Sequence, residues 1–331
     1  MTSEDLPPIE RRTLPISTRA PGKCILFGEH AVVHGAPELA LAIDLDTQVI
    51  VRASDRTRLN ADTEALRHNA YFRAALEARW RAGPPIDVRA VSRIPKAAGL
   101  GSSAAFVAAL AAALGAAHEG VARADLAQIS FDIERGAQGV GSPGDTSTSV
   151  AGGYVTLNGG DGPTLWTVSS GSQSWTVRRG SDPGWSWIVA YSGVPRSTQD
   201  AVRAVGERLA RPDGPQLLAR FRSVALEGIR AIAREDRNET ARAMRANQEL
   251  LREVGVSHPR LEELITSVSE CAAAAKLTGA GAGGSIVALP IPGREAECVR
   301  RLARVGALAF AVRPARRGAG LVSETDPDRT H

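Results

Sequence analysis

The sequence predicts a mixed chain of strands and helices, long enough for two domains or one large one. Three observations lead there: strand-like runs recur in the first half, helical spacing dominates from about residue 198, and glycine-rich loops at 94–103 and 278–284 adjoin strands. Residues 18–29 and 39–53 read as strands flanking a turn, and 85–93 alternates as a strand that feeds a glycine loop. A helix follows over 102–117. Asp125 is placed to cap the next helix, with Leu126, Ile129 and Ile133 at helical spacing, and residues 150–157 and 185–192 return to strand character. Trp185 and Trp187 alternate with Ser186, as on a half-buried strand. Helices are expected over 198–211, 215–234, 238–253 and 259–275, with Pro212-Asp213-Gly214 turning between the first two. A loop at 278–284 and a strand at 285–290 complete the reading, and the polar or proline-bearing ends, 1–15 and 317–331, are expected to fray.

Composition narrows the function. The 331 residues are 43% hydrophobic, and 40 basic side chains nearly balance 36 acidic ones. That supports a sizeable core, and no basic block argues for nucleic acid. Cys24, Cys271 and Cys298 are odd in number and lack C-x-x-C spacing, so neither a disulfide framework nor a zinc knuckle is expected and a reducing cytoplasm fits best. The charged, proline-bearing start has no secretory h-region, and the longest apolar run, 104–117, is too weakly hydrophobic to span a bilayer. Lysine occurs only at Lys23, Lys96 and Lys276, each in or beside a glycine motif, where a compact ammonium serves phosphate as a point charge.

Four segments carry chemistry. Ile94-Pro95-Lys96-Ala97-Ala98-Gly99-Leu100-Gly101-Ser102-Ser103 runs straight into the Ala-rich helix, presenting backbone N–H groups at a helix start, where phosphate is the expected guest. It fits neither the Walker spacing, since no lysine follows Gly101, nor G-x-G-x-x-G. One of Ser102 and Ser103 is placed to cap the backbone and the other to reach a metal ion; the plain alternative is a Gly/Ser N-cap. Leu277–Gly284 packs four glycines between a helix and an apolar strand, either as a loop over a ligand or as a connector. Ala20–Gly35 holds Lys23, Glu29, His30 and His34 in a mostly apolar stretch; the charges need partners or a wet site, and a structural ion pair is the alternative. Glu134 and Asp145 offer two carboxylates, one able to hold Mg²⁺ and one able to take a proton in phosphoryl transfer, although Asp145 before Thr146-Ser147-Thr148 also fits a simple turn.

Ala20–Gly35, Ile94–Ala105 and Lys276–Gly284 together resemble the three ordered motifs of the GHMP small-molecule kinases and span nearly all of 18–290. Gly28-Glu29-His30-Ala31-Val32-Val33-His34-Gly35 is similar to the mevalonate kinase branch, as is Ser192–Thr198, while Ser142-Pro143-Gly144-Asp145-Thr146 resembles the form in archaeal-type members. Lys96 and Ala97 depart from the usual glycine-bearing lead-in. The resemblance implies an α+β, two-domain fold: a ribosomal-S5-like half, 1–185, and a ferredoxin-like half, 186–331, with ATP between them. It implies Asp145 as catalytic base beside Lys23, and Ser103 and Glu134 as Mg²⁺ ligands. ATP would meet Ser92, Pro95, Lys96, Ala97, Ala98, Gly99, Leu100, Gly101, Ser102, Ser103 and Gly281, while Glu29, His30, Arg196 and Thr198 would position mevalonate. A cytoplasmic homodimer acting on ATP and mevalonate is the implied setting. The alternatives are a neighbouring kinase or decarboxylase (phosphomevalonate kinase, mevalonate 3-kinase, diphosphomevalonate decarboxylase) or a catalytically silent ligand sensor.

Overall fold

A computed structural model describes residues 6–139, 141–195 and 198–322. The first sheet contains β1 (Ile16–Phe27), β2 (Glu38–Ala53), β3 (Arg58–Leu59), β4 (Ile86–Ser92), β5 (Tyr154–Leu157), β6 (Thr164–Ser170) and β7 (Gln173–Arg179). The second contains β8 (Trp187–Tyr191), β9 (Ala272–Thr278), β10 (Ser285–Pro290) and β11 (Leu308–Val312), in the antiparallel order β11-β8-β10-β9. A last strand, β12 (Gly320–Leu321), returns to the edge of β1, so the expected 186–331 unit hands its final residues back to the first sheet.

The helices are α1 (Ala65–His68), α2 (Ala70–Arg79), α3 (Ser102–His118), α4 (Arg123–Gln138), α5 (Gly144–Ala151), α6 (Thr198–Leu209), α7 (Gly214–Ala233), α8 (Arg237–Glu253), α9 (Pro259–Ser267) and α10 (Glu295–Arg304). Strand β2 is long enough to serve two neighbours on one edge: Glu38–Leu41 pair with β5 and Thr47–Ala53 with β4, while β1 takes the other edge. The β1–β2 register shifts between Pro21 and Gly22, where proline cannot donate to the ladder. Helix α3 is buried on almost every side from Ala104 to Ala116. Its small side chains let it lie close to β1, and Thr18 Oγ1 on that strand donates to Ala109 O at 2.7 Å.

Several expectations are corrected. The helix expected over 259–275 ends at Ser267, and Ala272–Thr278 is a strand. Alanine favours helix intrinsically, but here its backbone is claimed by the ladder to β10 and by Gln248 Oε1, which accepts from Leu277 N at 2.9 Å. The glycine cluster at 279–284 therefore joins two strands rather than a helix and a strand. Asp125 lies in the first turn of α4, whose cap position is Ala122. Residues 144–151 form α5, so Asp145 opens a helix, and strand β5 begins at Tyr154 rather than at 150. The ends are partly tied down: Ile9 bridges to Val121 and Ala319 is fully buried. Trp187 is fully buried on β8, its Nε1 donating to Tyr154 OH at 2.8 Å, whereas Trp185 lies before the strand with the Arg237 guanidinium 4.8 Å from its ring centre.

Two polar stitches join the sheets beside the glycine loop. Thr278 Oγ1 donates to Ile25 O at 3.0 Å and accepts from Ile25 N at 2.8 Å, and Ser285 Oγ donates to Ala98 O at 2.7 Å.

Candidate active site

The loop before α3 turns through left-handed backbone at Ala97, Gly99 and Gly101, and Gly101 is the cap position of the helix. A side chain at Gly101 would stand 2.8 Å from Lys23 Cγ, so loop and lysine are fitted to one another. Lys23 N donates to Leu100 O at 2.9 Å, and its Nζ lies 3.3 Å from Gly99 O. The same ammonium pairs with Asp145 Oδ1 at 2.9 Å. Strand β1 thus supplies the cation and the first turn of α5 the carboxylate. The Lys23 side chain is 1% exposed and that of Asp145 33%, so the pair is closed on one side and open on the other.

Ser103 does not cap α3; its Oγ donates to Glu134 Oε1 at 2.8 Å, and Gln138 Nε2 donates to the same oxygen at 3.1 Å. Burial first, and the nearby Asp145 carboxylate second, push Glu134 up to about 7 against the hydrogen bond from Ser103. The Glu134 carboxyl and the Ser103 hydroxyl, two oxygen donors at the mouth of a phosphate-type loop, could together hold Mg²⁺, a hard cation that takes oxygen ligands. Among the described residues no set of three His, Cys, Asp or Glu side chains is arranged to hold a metal by itself.

The other charges of the first motif turn inward. Glu29 pairs with Lys276 of β9, with both side chains fully buried, and Lys276 Nζ also donates to Leu277 O at 2.7 Å. Burial raises Glu29 and lowers Lys276 from their ordinary values, and each partner opposes the other's shift. His30 precedes the short 3₁₀ turn Ala31–His34, and its Nε2 lies 3.0 Å from Ala280 O in the glycine cluster.

These groups face one cavity of about 820 Å³, whose wall includes Lys23, Glu29, His30, Ser92, Lys96, Ala97, Ala98, Gly99, Gly101, Ser102, Ser103, Glu134 and Asp145. Ser92 Oγ is 2.8 Å from Thr47 Oγ1. Pro95, Leu100 and Gly281 lie off this wall; Leu100 is buried in the core and Gly281 is packed against Val256 O. Arg196 lies outside the described residues, and Thr198 opens α6. The structure adds Glu38, Asn60, Asn69, Tyr71, Gln138 and Gln199 to the wall. Of these, only the spacing of Gln138 one turn after Glu134 carried any signal in the sequence, and Glu38 is hidden there at the start of a strand.

The family model for the GHMP kinases N terminal domain matches residues 68–153, and that for the GHMP kinases C terminal matches 229–308. The mevalonate kinase of Methanothermobacter thermautotrophicus is 33% identical over 287 residues, covering 82% of this chain and 89% of that protein. The chain belongs to the GHMP kinase family. The mevalonate kinase of Archaeoglobus fulgidus is 32% identical over 278 residues, covering 82% of this chain and 90% of its own length. The crystal structure of the Methanococcus jannaschii mevalonate kinase superimposes with a TM-score of 0.72 at 22% identity, over 92% of this chain and 99% of that one. The two-sheet architecture is thus the two-domain GHMP kinase fold.

Proposed function

We propose that the protein transfers the γ-phosphoryl group of ATP to the 5-hydroxyl of mevalonate, giving 5-phosphomevalonate. The observation that carries this reading is the half-open Lys23–Asp145 pair beside a backbone-lined anion seat, in a chain whose most similar relatives include proteins named mevalonate kinase. The acceptor hydroxyl sits against Asp145, which takes its proton at a carboxylate oxygen as the O–P bond forms. Lys23 keeps that carboxylate aimed and offsets the charge growing on the attacking oxygen. Backbone N–H groups of 97–103 hold the nucleotide phosphates at the positive end of α3, setting donor and acceptor in line. Ser103 and Glu134 would hold Mg²⁺, which when bound neutralises charge on the phosphates. His30, braced on Ala280 O, lies on the cavity wall, where it would position mevalonate together with Glu29. We place the protein in the cytoplasm as a homodimer; among the described residues no helix is long and apolar enough to cross a membrane.

The deciding experiment is ATP-dependent transfer to a panel of mevalonate, 5-phosphomevalonate, 5-diphosphomevalonate, homoserine and galactose, with the product position read by phosphorus NMR. Transfer to the 5-hydroxyl of mevalonate alone is expected. Transfer to another acceptor keeps the kinase and overturns the acceptor, and nucleotide binding without turnover turns the reading into a ligand sensor.

A further inference from the structure

One buried acid in the cavity has no place in the chemistry described so far. Glu38 opens β2 at 1% exposure, lines the cavity with Lys23 and Asp145, and its Oε1 has no hydrogen-bond partner. A side chain on Gly144 would collide with that carboxyl, so the residue before Asp145 is bare where Glu38 needs room. Lys23, the nearest cation, is committed to Asp145 and to Gly99 O. We propose that Glu38 is a specificity-determining residue, whose carboxyl hydrogen-bonds a second hydroxyl of the acceptor beside the one that receives the phosphoryl group.

The inference rests on the acceptor reading above and adds to it a residue and a recognition rule. Two carboxyl groups sharing one lysine do not both ionise readily. Burial, and then the Asp145 charge, raise Glu38 well above the ordinary carboxylate range, which favours the protonated carboxyl, a group with both an O–H donor and a carbonyl acceptor. A hydroxyl is the group that answers both. An unpartnered buried carboxyl is costly, and a ligand that supplies the missing bond offsets that cost. The two hydroxyls of mevalonate are 1,3-related, so a carboxyl adjoining Asp145 reaches the tertiary 3-hydroxyl while Asp145 addresses the primary one.

The test compares kcat/KM for mevalonate with that for 5-hydroxy-3-methylpentanoate, which keeps the reacting hydroxyl and the carboxylate but lacks the 3-hydroxyl. The unsubstituted protein is expected to favour mevalonate by about a hundredfold or more, since a site built around a hydroxyl strongly rejects an analogue lacking it. In Glu38→Ala and Glu38→Met that ratio is expected to fall at least about tenfold, mostly through a raised KM for mevalonate, while Glu38→Gln, which keeps a donor and an acceptor, retains it. Methionine fills the space of the glutamate, so Glu38→Met decides the matter where Glu38→Ala fails to fold. Equal losses on both acceptors would reduce Glu38 to a packing residue and overturn the proposal. Failure of the unsubstituted protein to phosphorylate mevalonate at all would instead remove the acceptor reading, and this inference with it.

Discussion

Lys23 and Lys276 both lie within the core, both on strands, and each meets a carboxylate contributed by a distant part of the chain. The difference is in the partner. Asp145 keeps a third of its side chain exposed, whereas the side chains of Glu29 and Lys276 are both fully buried. A buried ion pair with no exposed face fixes position and little else, because its attraction is largely spent against desolvation. Leaving one face open gives the same pair a side on which, under the proposed function, a hydroxyl would be held and deprotonated. The glycine loop makes the distinction possible, since Gly101 gives way to the Lys23 stem and brings it under the phosphate seat.

The sharpest way to break this comparison is to neutralise one carboxylate in each pair. Asp145→Asn should lower kcat by about a thousandfold, the range expected for loss of a general base, while a fluorescent ATP analogue still binds; near-normal turnover would sink the assignment. Glu29→Gln should instead appear in urea unfolding as a loss of about 3–5 kcal/mol, the cost of leaving a buried charge alone. Replacing both members, Glu29→Met with Lys276→Met, should recover much of that loss; a double variant no better than the single one would contradict a purely positional role for the pair.

Glu134 sharpens the contrast through pH. The folded chain holds a proton there up to about 7, and the unfolded chain releases it near 4.5. The unfolded state therefore binds fewer protons in that window, so stability of the ligand-free protein should fall as pH rises from 4.5 to 7, by at most about 3 kcal/mol, and level off above. Glu134→Gln should flatten this slope in urea titrations at stepped pH. The smallest effect is assigned to Ser103→Ala, which should raise the Mg²⁺ concentration for half-maximal activity by about tenfold; an unmoved Mg²⁺ titration would detach Ser103 from the metal.

Much of this arrangement was legible in the residues themselves. The loop at 94–103 and the helix behind it announce themselves through local rules of turn and cap, while Glu134 and Asp145 gained their roles from the resemblance. What escaped depends on contacts between distant segments. Lys276 stands next to glycines, which suggests phosphate, yet its partner is Glu29, 247 residues away. Ala272–Ala275 carries the composition of a helix and becomes strand through its pairing with β10. Asp145 reads as a turn residue because Gly141, Pro143 and Gly144 precede it; only the packing of α5 against α3 and β1 turns that break into a helix start. Glu38 gives no local sign at all, for an acid at the first position of a strand is ordinarily at the surface.

The paired hydrogen bonds between Thr278 and Ile25 have a mechanical meaning. They tie the second sheet to β1 only two residues from Lys23, and Ser285 ties it again to the loop at Ala98. A seam fastened there acts as an axle, not as a mouth. The α6 residues Gln199 and Val202, which also face the cavity, take no part in that seam. Lys23 and the loop at Ala98 are therefore anchored to both sheets at once, so their spacing is set by the seam itself.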